Sequence, residues 1–361
     1  LVVADVVIVG SGVAGMLSAL ELHSRGCSVR LLDTAVRRPP ASWAGGGILS
    51  PLFPWRYPDA MTALTRHARR DYGHWRERIL ACGGPDTELL DGGMLVLEPG
   101  DDAEATDWAA RAAVTLKQVA AGEQFAWLGE RPALWLPGIA RIRNPRLLKG
   151  LAMLLADAGI VVHQVEVTAV ESDSYGVRVL TSSGVEQADQ GLLAAGAWSA
   201  ALLPPHWRDE IFPVRGQMLL YRPPQPFPGA VLLSPSGYLI PRHDGLLLAG
   251  STVEAGIDDS IPTAAALAQL DAMAGKLWPL LKECTPVAQW AGIRPGSRRP
   301  LPLIGAVPEG HGRLWINSGH FRNGLVCAPA SARLIADLIC GLTPDTDPAP
   351  YSVSGSSSSP P

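Results

Sequence analysis

At 361 residues, 47% hydrophobic and 18% charged, the chain has enough apolar material for two structural domains and too little polar bias for long disordered regions. A net charge of -4 gives no electrostatic case for nucleic acid or for an anionic membrane surface. Cys27, Cys82, Cys284, Cys327 and Cys340 are odd in number, scattered and free of any CxxC pair, which argues against a disulfide framework or a metal site and for reduced thiols in a cytoplasmic setting.

Residues 2–9 form a continuous β-branched run, as expected of a strand buried on both faces of a parallel sheet. A helix over 13–25 and a second strand over 28–32, ending in Asp33, complete a βαβ unit. The uncharged stretch 6–20 is too short for a spanning helix and follows Asp5, so a buried strand entering a helix explains it better than a leader or anchor. Residues 42–51 are a glycine-rich loop, 89–97 a strand, and 101–120 an amphipathic helix with acids in its first turn.

Asn144-Pro145 opens a further helix to about residue 158, with Asn144 as N-cap. Strands are expected at 161–167, 176–181, 190–194, 217–221, 238–241 and 246–250, and a helix at 264–283. The last strand falls at 315–318 and the last helix at 328–340; the Pro/Ser-rich end from 345 reads as a flexible extension. Nucleotide-type βα elements at both ends enclose a strand-rich block. This order predicts an α/β chain: a discontinuous cofactor domain (1–85, 141–205, 290–343), a substrate domain inserted into it (86–140, 206–289), and a tail at 344–361.

Gly10-Ser11-Gly12-Val13-Ala14-Gly15 matches GxGxxG where the first strand turns into the first helix, and Asp33 lies at the spacing of a ribose partner. Gly10 permits the turn, Gly12 admits a pyrophosphate to the backbone, and Gly15 allows close helix–strand packing. The N–H groups of Val13 and Ala14 then face the phosphates. The acid at 33 disfavours a 2′-phosphate, but the motif alone leaves FAD and NAD open.

Further segments narrow the choice. Residues 42–51, with Ser42, Gly45, Gly46 and Gly47, look like a small-residue loop beside a flavin ring. Gly292-Ile293-Arg294-Pro295 followed by Pro302-Leu303-Ile304-Gly305 is similar to GLRP…PxIG, and Gly319-His320-Phe321-Arg322-Asn323-Gly324 to GHxRNG. Together with the fingerprint they resemble the glycine oxidases of the D-amino acid oxidase family, over nearly the whole chain to about residue 343. The resemblance implies a Rossmann-like FAD-binding domain of the glutathione-reductase type with an inserted mixed α+β substrate domain. It adds Ile48, Leu49, Val167, Gly196, Trp198, Gly319, His320, Arg322, Asn323, Gly324 and Leu325 to the cofactor-binding set. The neighbouring sarcosine oxidases attach their flavin through a cysteine near 290–305. None stands there, so the FAD is expected to be non-covalent.

The same resemblance assigns Arg294 as the substrate-carboxylate anchor, a role that suits the planar guanidinium fork. It assigns Tyr238 as the tyrosine closing that site, Arg322 as a second contact, and Val253 as a residue limiting side-chain room. Trp55, with Arg56 and Tyr57, is a candidate lid. No metal ligands are expected. Arg299, beside Arg298, departs from the family, which usually has an acid at this position of the turn, and so adds positive charge near Arg294.

The implied activity is oxidation of glycine or small D- or N-methyl amino acids. Hydride passes to FAD without an obligate protein base, and molecular oxygen returns as hydrogen peroxide. In the family such an activity feeds thiamine biosynthesis. Alternatives are a dehydrogenase delivering electrons to a quinone or protein, or a flavoprotein subunit acting only with a partner. The oligomeric state, including a homo-oligomer, is left open.

Overall fold

The computed structural model describes residues 5–34 and 40–354. Residues 2–4 of the expected first strand and 355–361 of the expected tail lie outside the described residues.

The strand Asp5–Val9 sits near the middle of a six-stranded sheet, between Gln190–Leu193 and Ser28–Asp33, both parallel to it. Its alternate side chains separate cleanly. Val6 and Ile8 join a core with the helices Val13–Ser24, Ala68–Ala81, Asn144–Asp157 and Gly324–Ile339. Val7 and Val9 pack the other way, against Val177 and Val179 of a three-stranded antiparallel sheet. Burial on both faces is why the strand reads as an unbroken apolar run. The chain leaves Asp5–Val9 for Ser28–Asp33 on one side and pairs with Gln190–Leu193 on the other, so a crevice opens at Gly10, where open α/β sheets bind ligands.

The second layer is a nine-stranded sheet. The helix Ala264–Leu277 covers one face through Leu270, Met273 and Ala274, and Asp102–Ala112 covers the other through Ala105 and Trp108. Its long strand, Ile211–Tyr221, pairs antiparallel through Leu220 with the whole of Ala288–Ser297. Residues 290–297, grouped on sequence with the cofactor domain, are therefore hydrogen-bonded into the other sheet. Among the described residues no helix is long and apolar enough to cross a membrane.

Several expectations need correction. The helix expected over 101–120 ends at Ala112: Ala113 turns left-handed at φ 54°, and Lys117–Ala120 is an edge strand. The stretch 161–167 is interrupted, with Val162–Gln164 in the six-stranded sheet and Val167–Ser172 in the antiparallel one. Arg143, not Asn144, occupies the N-cap position of the helix Asn144–Asp157, and it makes no side-chain capping bond. The last helix begins at Gly324, four residues earlier than expected. The tail is not loose through Ser354: Tyr351 and Val353 are buried, and the Tyr351 hydroxyl donates to Ala60 O at 2.7 Å.

Candidate active site

Gly10 holds φ +106°, and a Cβ there would lie 2.5 Å from Ala194 O; one on Gly15 would lie 1.9 Å from Gly10 O. Only glycine fits either position. Gly12, by contrast, faces open space apart from Ser42 Oγ. That hydroxyl accepts from Val13 N at 3.0 Å, which ties the loop to the start of the first helix. The Asp33 carboxylate accepts from both the backbone N–H and the hydroxyl of Ser11.

From this turn a cavity of about 670 Å³ runs between the two sheets. Of the residues singled out from sequence, Gly10, Gly12, Val13, Ala14, Asp33, Ser42, Gly45, Gly46, Gly47, Ile48, Val167, Gly196, Trp198, Tyr238, Arg294, His320, Arg322, Gly324 and Leu325 line it. Gly15, in the first turn of the helix Val13–Ser24, and Gly319 and Asn323, in the segment before the last helix, adjoin the cavity without reaching its wall, and Leu49 lies in the helical core.

The other expectations do not meet it. Trp55 is buried against Trp108, with ring centroids 6.2 Å apart, and Leu52 is the residue of that segment on the cavity wall. Arg56 pairs with Asp101 instead of covering the site. Val253 is 51% exposed and away from the wall. Arg299 bonds Glu210 and the carbonyls of Ser352 and Val353, while Arg298 faces Asp209, so neither adds its charge to the pocket.

Arg294 reaches the cavity from the strand Ala288–Ser297. Its Nη1 donates to Thr252 O at 3.0 Å and its Nη2 to Ser251 Oγ at 2.8 Å. Among the described residues no carboxylate bonds it directly. Burial pulls its pKa below the ordinary arginine value, Tyr238 pushes it up, and Arg322 pulls it down. Tyr238 is buried on the neighbouring wall, its hydroxyl 3.6 Å from Met218 Sδ. Arg322 is exposed and also faces the cavity. This is a cationic recess beside an apolar wall, suited to a small carboxylate.

Sequence reasoning missed several residues. Asn144, read as a helix cap, donates to Ser42 O at 2.7 Å beneath the glycine loop. Arg242 donates to Gly46 O at 2.9 Å and to Ile142 O at 3.1 Å, pinning the same loop; burial holds its pKa at about 10. Asn317 also lines the cavity. Nothing local marks these three, because each acts through a partner distant in the chain.

A dinucleotide cofactor fits these residues. Three buried polar atoms without a protein partner, Asn144 Oδ1, Asn317 Oδ1 and His320 Nε2, all belong to cavity-lining residues. At the turn, Gly12 leaves bare the space that a Cβ would fill, with only Ser42 Oγ beside it. Burial holds His320 at about 4, so near neutral pH its imidazole is uncharged. A glycine turn opening into a long cavity that ends at a half-buried arginine defines a dinucleotide-dependent oxidoreductase. The chain belongs to the DAO family, FAD dependent oxidoreductase, which it matches over residues 5–338.

It is 44% identical to the glycine oxidase of Pseudomonas aeruginosa, over 97% of this chain and 98% of that one. It is 32% identical to the bifunctional protein ThiO/ThiG of Synechocystis sp., over 93% of this chain and 51% of that one. The crystal structure of glycine oxidase from Geobacillus kaustophilus superposes with a TM-score of 0.90 at 27% identity, covering 97% and 98% of the two chains. The protein is an enzyme, and FAD is its cofactor.

Proposed function

We propose that the protein is an amino acid oxidase acting on glycine and on small D- or N-methyl amino acids. It yields the imine, and thence 2-oxo acid and ammonia, with oxygen reduced to hydrogen peroxide. The observation that carries this reading is Arg294: a half-buried guanidinium in the cofactor cavity whose bonded partners among the described residues are a carbonyl and a hydroxyl, with no carboxylate among them. A charge partly withdrawn from water calls for a partner, and an amino acid's carboxylate supplies one. The 44% identity to a glycine oxidase favours an amino-carboxylate over other small acids.

Bound FAD supplies the two-electron acceptor. Arg294 fixes the substrate's carboxylate end, Tyr238 closes the pocket beside it, and Arg322 adds a second cation at the wall. Neutral His320 adds no charge there. No cysteine lines the cavity among the described residues, which supports non-covalent attachment.

The test is anaerobic mixing with single amino acids, read as loss of oxidised flavin absorbance. Glycine, N-methylglycine and D-alanine should bleach the flavin, and L-alanine should not. Admitting oxygen should then restore the colour with one peroxide formed per turnover. Bleaching by L-alanine alone would overturn the substrate assignment. Reoxidation by a quinone but not by oxygen would make the enzyme a dehydrogenase.

A further inference from the structure

Arg294 is held by the turn 250–254, and that turn is itself tied down from behind. The Thr252 hydroxyl donates to Glu254 Oε1 at 2.6 Å and accepts from the buried Gln217 N–H at 2.9 Å. Gln217 Nε2 donates to the same Glu254 oxygen at 2.9 Å. The other carboxylate oxygen takes both Nε and Nη2 of Arg215, at 3.0 and 2.6 Å. Glu254 is thereby locked in place on the edge strand Glu254–Ala255, which pairs with Val214 and Arg215. The link runs from Arg215 through Glu254 and the Thr252 hydroxyl to the Thr252 carbonyl, and so to Arg294 Nη1.

This arrangement settles a conflict that the anchor faces. A carboxylate bonded directly to Arg294 would stabilise the half-buried cation but would occupy the fork that the substrate needs. A carboxylate placed one residue further back orients the guanidinium through a carbonyl and leaves that fork available. Glu254 has this position, and its charge also favours the protonated guanidinium from a distance.

We propose that Glu254 is a positioning residue for the substrate carboxylate, acting through the Thr252 hydroxyl on the orientation of Arg294. The inference rests on Arg294 being the anchor, as argued under Proposed function. It makes Thr252 and Glu254 determinants of carboxylate recognition although neither lines the cavity.

Four variants of the FAD-loaded enzyme test it: Thr252→Val, Thr252→Ser, Glu254→Ala and Arg294→Ala. The probes are acetate and its neutral isostere acetamide, with affinity read from the perturbation of the bound flavin spectrum, and KM and kcat for glycine. Loss of one orienting hydrogen bond should raise the acetate Kd and the glycine KM about ten-fold in Thr252→Val and Glu254→Ala, with kcat within about three-fold of the parent. Thr252→Ser keeps the hydroxyl and should stay within about two-fold of the parent. Acetamide affinity should not move.

Parent-like acetate binding by Thr252→Val would overturn the proposal. So would equal losses for acetate and acetamide, which would mean a general disturbance of the pocket. Failure of both Thr252→Val and Glu254→Ala to fold would assign the link to folding and overturn it as well. If Arg294→Ala itself binds acetate normally, the anchor reading fails; if only Thr252→Val and Glu254→Ala do, the anchor stands and the positioning role alone falls.

Discussion

The guanidinium of Arg294 lies directly over Gly216: a Cβ on Gly216 would sit 2.0 Å from Nη1 and 2.1 Å from both Cζ and Nη2. Gly216 pairs across the ladder with Gly292, and Arg294 follows two residues on; Gly216 clears the sheet surface under the fork, whereas a Cβ on Gly292 would meet Ala44 Cβ at 2.4 Å. The Gly216 backbone is in an ordinary conformation, so alanine is sterically possible for the chain itself. What must give way is the flexible end of Arg294.

Gly216→Ala should therefore fold and bind FAD while disabling the anchor. A displacement of about 1 Å at a positioning group costs on the order of 100-fold, and kcat/KM for glycine should fall by about that much. Amines lacking a carboxylate should be affected much less. Circular dichroism and flavin content check the fold, and steady-state kinetics check the anchor. Unchanged glycine kinetics would mean that the guanidinium has room to spare.

Arg299 makes the opposite case, a cation whose charge is spent on structure. It donates to Ser352 O and Val353 O, each at 2.7 Å, and pairs with Glu210 at 3.3 Å. Arg299→Ala should cost about 1–3 kcal/mol in urea unfolding, the scale of losing partly buried hydrogen bonds to a charged group. Substrate range, including any activity on acidic amino acids, should stay as it was. A changed preference with unchanged stability would restore Arg299 to the pocket.

What the sequence made legible was whatever is written locally. The run before Gly10, the glycine turn and Asp33 encode one strand–turn–helix unit, and glycines at close approaches have no substitute. Arg294 and Tyr238 stood inside recognisable motifs. Their support did not, because it depends on register: Gly216 meets Arg294 only once Ile211–Tyr221 is paired with Ala288–Ser297, some eighty residues away. Reading that strand from Gln217 onward left Gly216 outside it. The helix Ala68–Ala81 escaped notice because charges dominate it, although Tyr72, Trp75 and Ile79 form its buried stripe. At the C-terminus, Pro/Ser-rich composition hid Tyr351 and Val353, which the core takes in.

Acid precipitation should leave a colourless pellet and release all of the FAD into the supernatant. A flavin–thioether bond requires a cysteine beside the flavin, and none of Cys27, Cys82, Cys284, Cys327 and Cys340 lines the cavity. The supernatant absorbance near 450 nm, against protein concentration, gives the stoichiometry. Yellow colour retained by the washed pellet would contradict non-covalent attachment.

His320 makes stability depend on pH in a defined window. Burial holds its folded-state value at about 4, whereas in the unfolded chain an imidazole titrates near 6.5. Between these values the unfolded chain binds a proton that the folded chain refuses, so stability rises with pH across the window. The contribution is complete above about 6.5 and is lost as pH falls towards 4, by about 3 kcal/mol in all. Asp86 does not confuse the reading: its bond from Arg76 holds it at about 2, and its effect is confined to pH below the ordinary carboxylate value of 3.8. Urea unfolding of the parent and of His320→Asn at pH 7 and pH 4.5, with the same excess of FAD throughout, isolates the term, because bound ligand shifts both proteins by mass action. The parent should lose about 2–3 kcal/mol more than the variant on acidification. Equal losses in the two proteins would show that the folded chain protonates His320 freely, and that the cavity near it is wet instead of closed.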